Sequence, residues 1–316
     1  MSNLNRRAFL GSVGGCAGHI LWMSAGYGAA RRLFAAVPAG RVVAQEIWGR
    51  LEQVGPGIWA MISTPLAGTR DSGAMRTVCN GGIVAGRSQV LLIEAFATPE
   101  GAQWMAQMAR QLTGKRPTLA LVTHFHGDHT GGMPGYTADG ETIPVRSTAK
   151  TRELLQGKPS LPEPIIPEDA GSEIDLGGRV VRIAPRVGHT PSDVTVETGD
   201  RRVVFCGDLV WNGMFPNYRD AIPSKKAESV RALVAAGQAT YVPGHGALAR
   251  RSDLERYLTL LADVEEKARA AIAAGVPLDQ AADAYRLPSG YAEWVMFSPT
   301  YFRVAFQAWG RELGAK

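Results

Sequence analysis

The chain has 316 residues, enough for one large structural unit or two smaller ones. With 45% apolar and 20% charged residues its usage is that of an ordinary globular protein, which excludes disorder, collagen and coiled coil. Of the net charge of +5, four arginines belong to residues 1–36, which hold no acidic residue; the nearly neutral remainder lacks the concentrated basic surface that nucleic acid requires.

Residues 1–36 contain Arg6-Arg7, then Ala8-Phe9-Leu10, a Gly-rich and mildly apolar stretch to Ala30, and Arg31-Arg32. The paired arginines with Phe-Leu one residue later resemble a bacterial twin-arginine export signal. Six glycines and His19 lie between Arg7 and Arg31, which is weak for a permanent span of about 20 strongly apolar residues. The resemblance implies a signal peptide cleaved between Ala25 and Ala39, the twin-arginine export machinery as a partner, and a periplasmic mature protein. Cys16 follows Arg7 too closely for a lipoprotein site. That leaves Cys79 and Cys206, which read as two buried small residues and not as a disulfide framework.

Beyond residue 40, short apolar runs alternate with helical stretches. Ile58–Ile62, Gly82–Ala85 and Val90–Ala95 read as strands. Pro99–Leu112 has apolar residues at helical spacing, and Thr118–Thr123 is a short buried-type strand. A helix over Thr148–Gln156 precedes a loop, Pro159–Pro167, whose prolines 162, 164 and 167 break regular structure. Strands follow near Val180–Ile183, Val194–Glu197 and Arg202–Phe205, then a helix near Ser224–Ala236 and a strand at Thr240–Val242. From Ser252 onward the pattern is mostly helical. The chain therefore divides into an α/β domain over residues 40–250, built of two β-rich halves, and a helical C-terminal extension over 251–316 packed on it.

Six histidines occur, and three fall in Thr123-His124-Phe125-His126-Gly127-Asp128-His129, directly after an apolar strand. Imidazoles and carboxylates are the usual ligands of zinc and similar divalent metals. His124 and His126, two apart in an extended segment, project to one side. Gly127 permits a tight turn, after which Asp128 and His129 can face a second ion.

This motif resembles the metallo-β-lactamase superfamily of binuclear metallohydrolases. The rest of that pattern follows in order, in Gly188-His189-Thr190, Cys206-Gly207-Asp208 and Pro243-Gly244-His245-Gly246. The resemblance spans about Gln53 to Gly246. It implies a four-layer αβ/βα sandwich with metals at one edge of its two sheets. It further implies that His124, His126 and His189 hold one ion, that Asp128, His129 and His245 hold another, and that Asp208 bridges them. Two Zn2+ per chain are the implied cofactor, with iron or manganese as substitutes. Asp128 would also orient the nucleophile and shuttle its proton.

Within the superfamily, a carboxylate at position 126 would mark the di-iron, oxygen-reducing branch; His126 fits the hydrolytic branch. Asp208 stands where subclass-one β-lactamases carry cysteine, and Trp211 where they carry lysine, which argues against a β-lactamase proper. The implied reaction is hydrolysis of an ester, thioester, lactone or phosphoester of a small-molecule substrate. An iron-dependent sulfur dioxygenase on the same ligands, or a non-catalytic metal- or cofactor-handling periplasmic protein, stands as the alternative. Glu94 replaces the usual Asp that braces the His-rich loop, and Cys206 reads as a neighbour of the site. The segment Trp211–Arg219 is expected at the substrate entrance. Arg219, Lys225 and Lys226 read as solvated charges or an anion contact, and Phe302, Phe306 and Trp309 as one packed helix face.

If Arg6 and Arg7 direct export, replacing both with Lys should leave precursor in the cytoplasm, as read by fractionation and immunoblotting. Undiminished mature protein in the periplasm would refute the signal.

Overall fold

The structure, a computed structural model, describes residues 40–63, 76–138, 141–157, 163–166, 171–199, 203–237 and 240–315. The expected export signal lies outside these residues. In chain order the strands of the first half are β1 (Arg41–Glu46), β2 (Gly49–Gly55), β3 (Ile58–Ser63), β4 (Gly81–Ala85), β5 (Val90–Ile93), β6 (Leu119–Leu121), β7 (Thr137–Ala138), β8 (Glu141–Thr142), β9 (Val145–Thr148) and β10 (Glu163–Ile166). Those of the second half are β11 (Ser172–Asp175), β12 (Val180–Pro185), β13 (Val194–Thr198), β14 (Val203–Asn212) and β15 (Thr240–Gly246). The helices are α1 (Pro99–Thr113), α2 (Gly127–Thr130), α3 (Ala149–Leu154), α4 (Pro223–Ala235), α5 (Arg251–Ala273), α6 (Leu278–Ala284) and α7 (Tyr301–Leu313).

The first sheet runs β1-β2-β3-β4-β5-β6-β9-β10, and the second β11-β12-β13-β14-β15. Strands β1 to β5 are antiparallel neighbours, and the pairs from β5 to β10 are parallel. Parallel neighbours need a crossover, and α1 supplies the one from β5 to β6. Its ends are written locally. Thr98 Oγ1 accepts from Gly101 N, Pro99 opens the helix, and Gly114 closes it in the left-handed region.

Side-chain alternation sorts the core into three apolar layers. Ile58, Ala60 and Ile62 of β3 face Val181, Ile183, Val196, Phe205 and Val242 across the gap between the sheets. Their neighbours Trp59 and Met61 point the other way, toward Met105 and Ala109 of α1. On the far side of the second sheet, Val204, Leu209 and Tyr241 pack against Val230 and Leu233 of α4, Leu254 and Leu260 of α5, and Phe306 and Trp309 of α7. Helices, sheet, sheet and helices in that order make the four-layer αβ/βα sandwich that the sequence implies.

Two elements differ from the sequence expectation. The Pro-rich loop contains a strand, β10, which tolerates Pro164 because it lies at the sheet edge and pairs only with β9. The strand expected over Arg202–Phe205 runs on as β14 to Asn212, kinked where Phe205 and Gly207 pair with consecutive residues Val242 and Pro243 of β15. This one-residue bulge, with Gly207 at φ +51, re-aims the strand beyond it. Phe205 faces the inter-sheet core, Cys206 joins the helix-side cluster, and Asp208 turns to the sheet edge. No helix among the described residues is long and apolar enough to cross a membrane.

A single buried amide bolts the two sheets together at that edge. Asn80 Oδ1 accepts from Ser63 N at 2.9 Å, and Asn80 Nδ2 donates to Pro243 O and Gly246 O, each at 2.9 Å. Its own N–H reaches Gly244 O at 2.7 Å. Asn80→Ala would strand one donor and two acceptors in a dry site, each costing about 1–3 kcal/mol. We expect a loss of at least about 2 kcal/mol, seen as a melting temperature lower by roughly 4 °C or more. An unchanged melting temperature would show the bolt to be idle.

Candidate metal centre

The His-rich loop begins where β6 ends, and its path is set by one carboxylate. Glu94 sits one residue beyond β5 with φ +74, only 1% exposed. Its carboxylate accepts from Thr123 Oγ1 at 2.6 Å and from Thr123 N at 3.2 Å, and it lies 3.0 Å from His129 Nδ1. Tyr136 OH donates to the Glu94 carbonyl at 2.7 Å, and Ala95 N to His129 O at 2.9 Å. From the other sheet, Val194 N donates to Thr123 O at 3.0 Å. The loop then turns into α2, which His126 opens, with His129 N donating to His126 O.

These constraints gather all seven residues named by the motif at the sheet edge. His124, His126, His189 and Asp208 form one group and Asp128, His129 and His245 a second, the donor atoms of each lying within 4.8 Å of one another. Asp208 stands between the groups: Oδ2 is 3.3 Å from His189 Nε2, while Oδ1 is 3.2 Å from His129 Nε2 and 3.4 Å from His245 Nε2. Asp128 Oδ2 is 3.2 Å from His245 Nε2, and His126 Nδ1 is 3.0 Å from His189 Nε2. Two glycines make this approach possible. A Cβ on Gly244 would lie 1.9 Å from Asp208 Oδ1, and one on Gly207 would lie 2.7 Å from Thr123 Oγ1.

His124 Nε2, His129 Nε2 and Asp208 Oδ1 are buried with no hydrogen-bond partner among the described residues. Imidazole nitrogens and carboxylate oxygens that crowd to 3.0–3.4 Å, with three of the inward atoms left unpaired, fit a divalent-ion site of the zinc type. Burial holds His124 and His189 well below the ordinary imidazole range, which leaves their rings neutral. Burial also penalises a charged His245, but Asp208 and Asp128 outweigh it and lift its pKa to about 9. His129 is raised in the same way by Cys79, Glu94, Asp208 and Asp128 against the cost of burial. The carboxyl of Asp128, though buried, is held low by His129 and His245.

The structure corrects three sequence expectations. Lys226 is no surface charge: it is fully buried on α4, with Nζ 3.1 Å from Asp208 O and 3.5 Å from His189 Nδ1. Burial depresses its pKa to about 8. The segment from Trp211 onward is not an open entrance, since Trp211, Met214, Phe215 and Tyr218 are buried in the helix-side core. Cys206 is not a neighbour of the site, because the bulge turns it to the helix-side cluster; Cys79 lies beside His129 instead, its thiol pushed up to about 12 by burial. Both cysteines are buried and free. Arg219 and Lys225 are exposed, as read.

Asp220, which the sequence did not single out, accepts or shares a proton with His126 Nε2 at 2.8 Å. It lies twelve residues past Asp208 in an irregular stretch. No spacing rule reaches that far.

Residues 75–245 match the family model described as Metallo-beta-lactamase superfamily. A "Lactamase-like protein nscB" of Trichophyton rubrum is 26% identical over 177 residues, 55% of this chain and 51% of that protein, so the chain spans about half the length of such relatives. A "Hydroxyacylglutathione hydrolase" of Acidiphilium cryptum is 29% identical over 223 residues, 70% of this chain and 86% of that one. Among solved structures, a metallo-beta-lactamase from Pontibacter korlensis superposes with a TM-score of 0.56 at 22% identity, covering 68% of this chain and all but 1% of its own, since 99% is aligned. At that identity the likeness speaks to fold alone.

The raised imidazoles make metal uptake pH-dependent. An ion must displace the proton of His245, so affinity should climb by about tenfold per pH unit for each proton displaced, up to about pH 9. Titrating metal-free protein with zinc in a competing chelator from pH 6 to pH 9 measures this. A flat profile would contradict the assignment of His245 as a ligand.

Proposed function

Since the chain belongs to the metallo-beta-lactamase superfamily, we propose that it is a binuclear zinc hydrolase acting on an ester, thioester, lactone or phosphoester. The observation that carries this reading is the convergence of five imidazoles and two carboxylates on one edge, with inward donor atoms left unpaired. In this reading His124, His126 and His189 would hold one ion and Asp128, His129 and His245 the other, with Asp208, which stands beside histidines of both groups, serving as a ligand to the pair. The pair would supply hydroxide at neutral pH, by lowering the pKa of a water toward about 7, and an electrophile for the attacked oxygen.

The chain's own residues supply the rest. Asp128, whose Oδ2 lies 3.2 Å from His245 Nε2, can hold the nucleophile by a hydrogen bond and carry its proton to the leaving group. Asp220, hydrogen-bonded behind His126, fixes that ring's rotation and strengthens its nitrogen as a donor, while the Glu94 carboxylate lies at ion-pair distance behind His129. The similarity to a hydroxyacylglutathione hydrolase makes acyl thioesters the first class to assay. We extend the proposal to export. A twin-arginine route carries folded protein, so metal bound before export would travel with it to the periplasm.

Elemental analysis of purified protein followed by a thioester, ester, lactone and phosphoester panel tests the reading. Two zinc ions and turnover on one class are expected; one iron per chain with oxygen consumption on a persulfide would point to the dioxygenase. Asp128→Asn should lower kcat by at least about 10²-fold while circular dichroism stays native. Lys225→Ala, at an exposed residue paired with Glu228, should leave kcat unchanged. Near-wild-type turnover by Asp128→Asn would remove Asp128 from the mechanism.

A further inference from the structure

The outward nitrogens of the five imidazoles are held unequally. His129 Nδ1 faces Glu94 at 3.0 Å, His126 Nε2 faces Asp220 at 2.8 Å, His124 Nδ1 faces Thr123 Oγ1 at 3.1 Å, and His189 Nδ1 faces Lys226 Nζ at 3.5 Å. His129 Nδ1 and His245 Nδ1 are both buried without a hydrogen bond among the described residues, but His129 Nδ1 has the Glu94 carboxylate at ion-pair distance, whereas His245 Nδ1 has no such carboxylate beside it. A polar partner on the outward nitrogen is the ordinary device that fixes the tautomer and rotation of a metal-binding imidazole. Yet the His245 ring is turned with Nε2 toward Asp128 and Asp208.

Aromatic rings pack against the His245 ring instead. The Trp211 ring lies 4.3 Å from the His245 ring, tilted by 49°, and Phe297 meets it edge-on at 5.7 Å and 82°. Phe297 also braces Trp211, at 5.4 Å and 87°. Both side chains are buried, 3% and 8% exposed. Phe297 comes from the C-terminal extension, outside the residues that match the family model. Its backbone is pinned two residues earlier, where Val295 N donates to Gly213 O and Phe215 N to Val295 O, each at 3.0 Å. Close-packed rings on two sides leave an imidazole no volume in which to rotate.

We infer that Phe297, acting through Trp211 and by direct contact, is a positioning residue that holds His245 with Nε2 inward and thereby sets the affinity of the Asp128–His129–His245 group for its ion. The inference rests on the two-ion reading above. It makes the C-terminal extension part of the metal centre. Ligation to a cation leaves an imidazole electron-poor, and the face of Trp211 is attracted to such a ring.

The test is zinc titration of the full chain, first against a competing chelator and then with cobalt, whose absorption reports ligand geometry. Phe297→Ala removes the ring; Phe297→Leu keeps apolar volume and removes the ring's shape and edge; Phe297→Tyr restores the ring. Alanine and leucine should weaken the second ion by about tenfold or more and leave the first within about twofold, while tyrosine restores the second. Equal loss at both ions, or a leucine variant identical to wild type, would reduce Phe297 to general packing and overturn the inference. A wild-type chain that never takes a second ion overturns the two-ion reading and the inference with it. Two ions in wild type and unchanged binding in every variant overturns the inference alone.

Discussion

The carboxylate of Glu94 is the contact on which the site depends. It is buried, it receives the hydroxyl and amide of Thr123, and it lies against His129, so one side chain fixes both the start of the His-rich loop and its last histidine. A buried carboxylate is tolerated only when its lone pairs are filled, and here two donors of Thr123 hydrogen-bond it while the His129 ring lies at ion-pair distance. The backbone around this carboxylate is strained: Glu94 adopts φ +74, a costly conformation for a residue with a Cβ, and Phe96 follows at φ +64. Local strain at the end of β5 is offset by the hydrogen bonds it permits.

What was legible in the sequence was what local chemistry writes. Thr98, Pro99 and Gly114 mark the ends of α1, the apolar runs mark β3 to β6, and the alternation of β3 sorts the two core layers. The seven clustered residues were legible too, because their motifs lie beside or near the ends of strands, His245 within the last residues of β15 and Asp208 within β14 past its bulge, and the sheet edge collects them. The rest depends on contacts between distant parts of the chain. Lys226 looked solvated beside Lys225, but α4 turns one inward and the other out, and Gly188 packs directly on the Lys226 backbone. Cys206 looked adjacent to Asp208, yet the bulge at Gly207 sends the two to opposite faces. Tertiary packing decided both, as it decided Asp220.

Polar groups join the two sheets at the edge where the site forms, as they also do between the β4–β5 and β11–β12 turns, where Arg87 N donates to Gly177 O and Ser88 N to Leu176 O, each at 3.1 Å. Elsewhere the gap between them is filled by aliphatic side chains and Phe205, which pack without direction. At the edge, Asn80 ties β3 to the loop of β15, Thr123 O accepts from Val194 of β13, and Gly207 abuts Thr123. Directional contacts hold ligands from both sheets in register, which apolar packing alone does not do.

Such a cluster must also survive as a folded body before it takes up metal. Charge pairing accounts for this. Asp128 and Asp208 are held below the ordinary 3.8 by the surrounding histidines, so their stabilisation is present above about pH 4 and fades as pH falls further. His245 is raised from 6.5 to about 9, so its share is full below about pH 6.5 and lost as pH rises through about 9. The two windows overlap across neutral pH, where protonated His129 and His245 neutralise the carboxylates that would otherwise repel one another. Incoming divalent ions replace those protons charge for charge or better. The same carboxylates therefore serve the metal-free fold and the loaded site, and the centre can be built on a rigid edge instead of on a loop that orders only when metal binds.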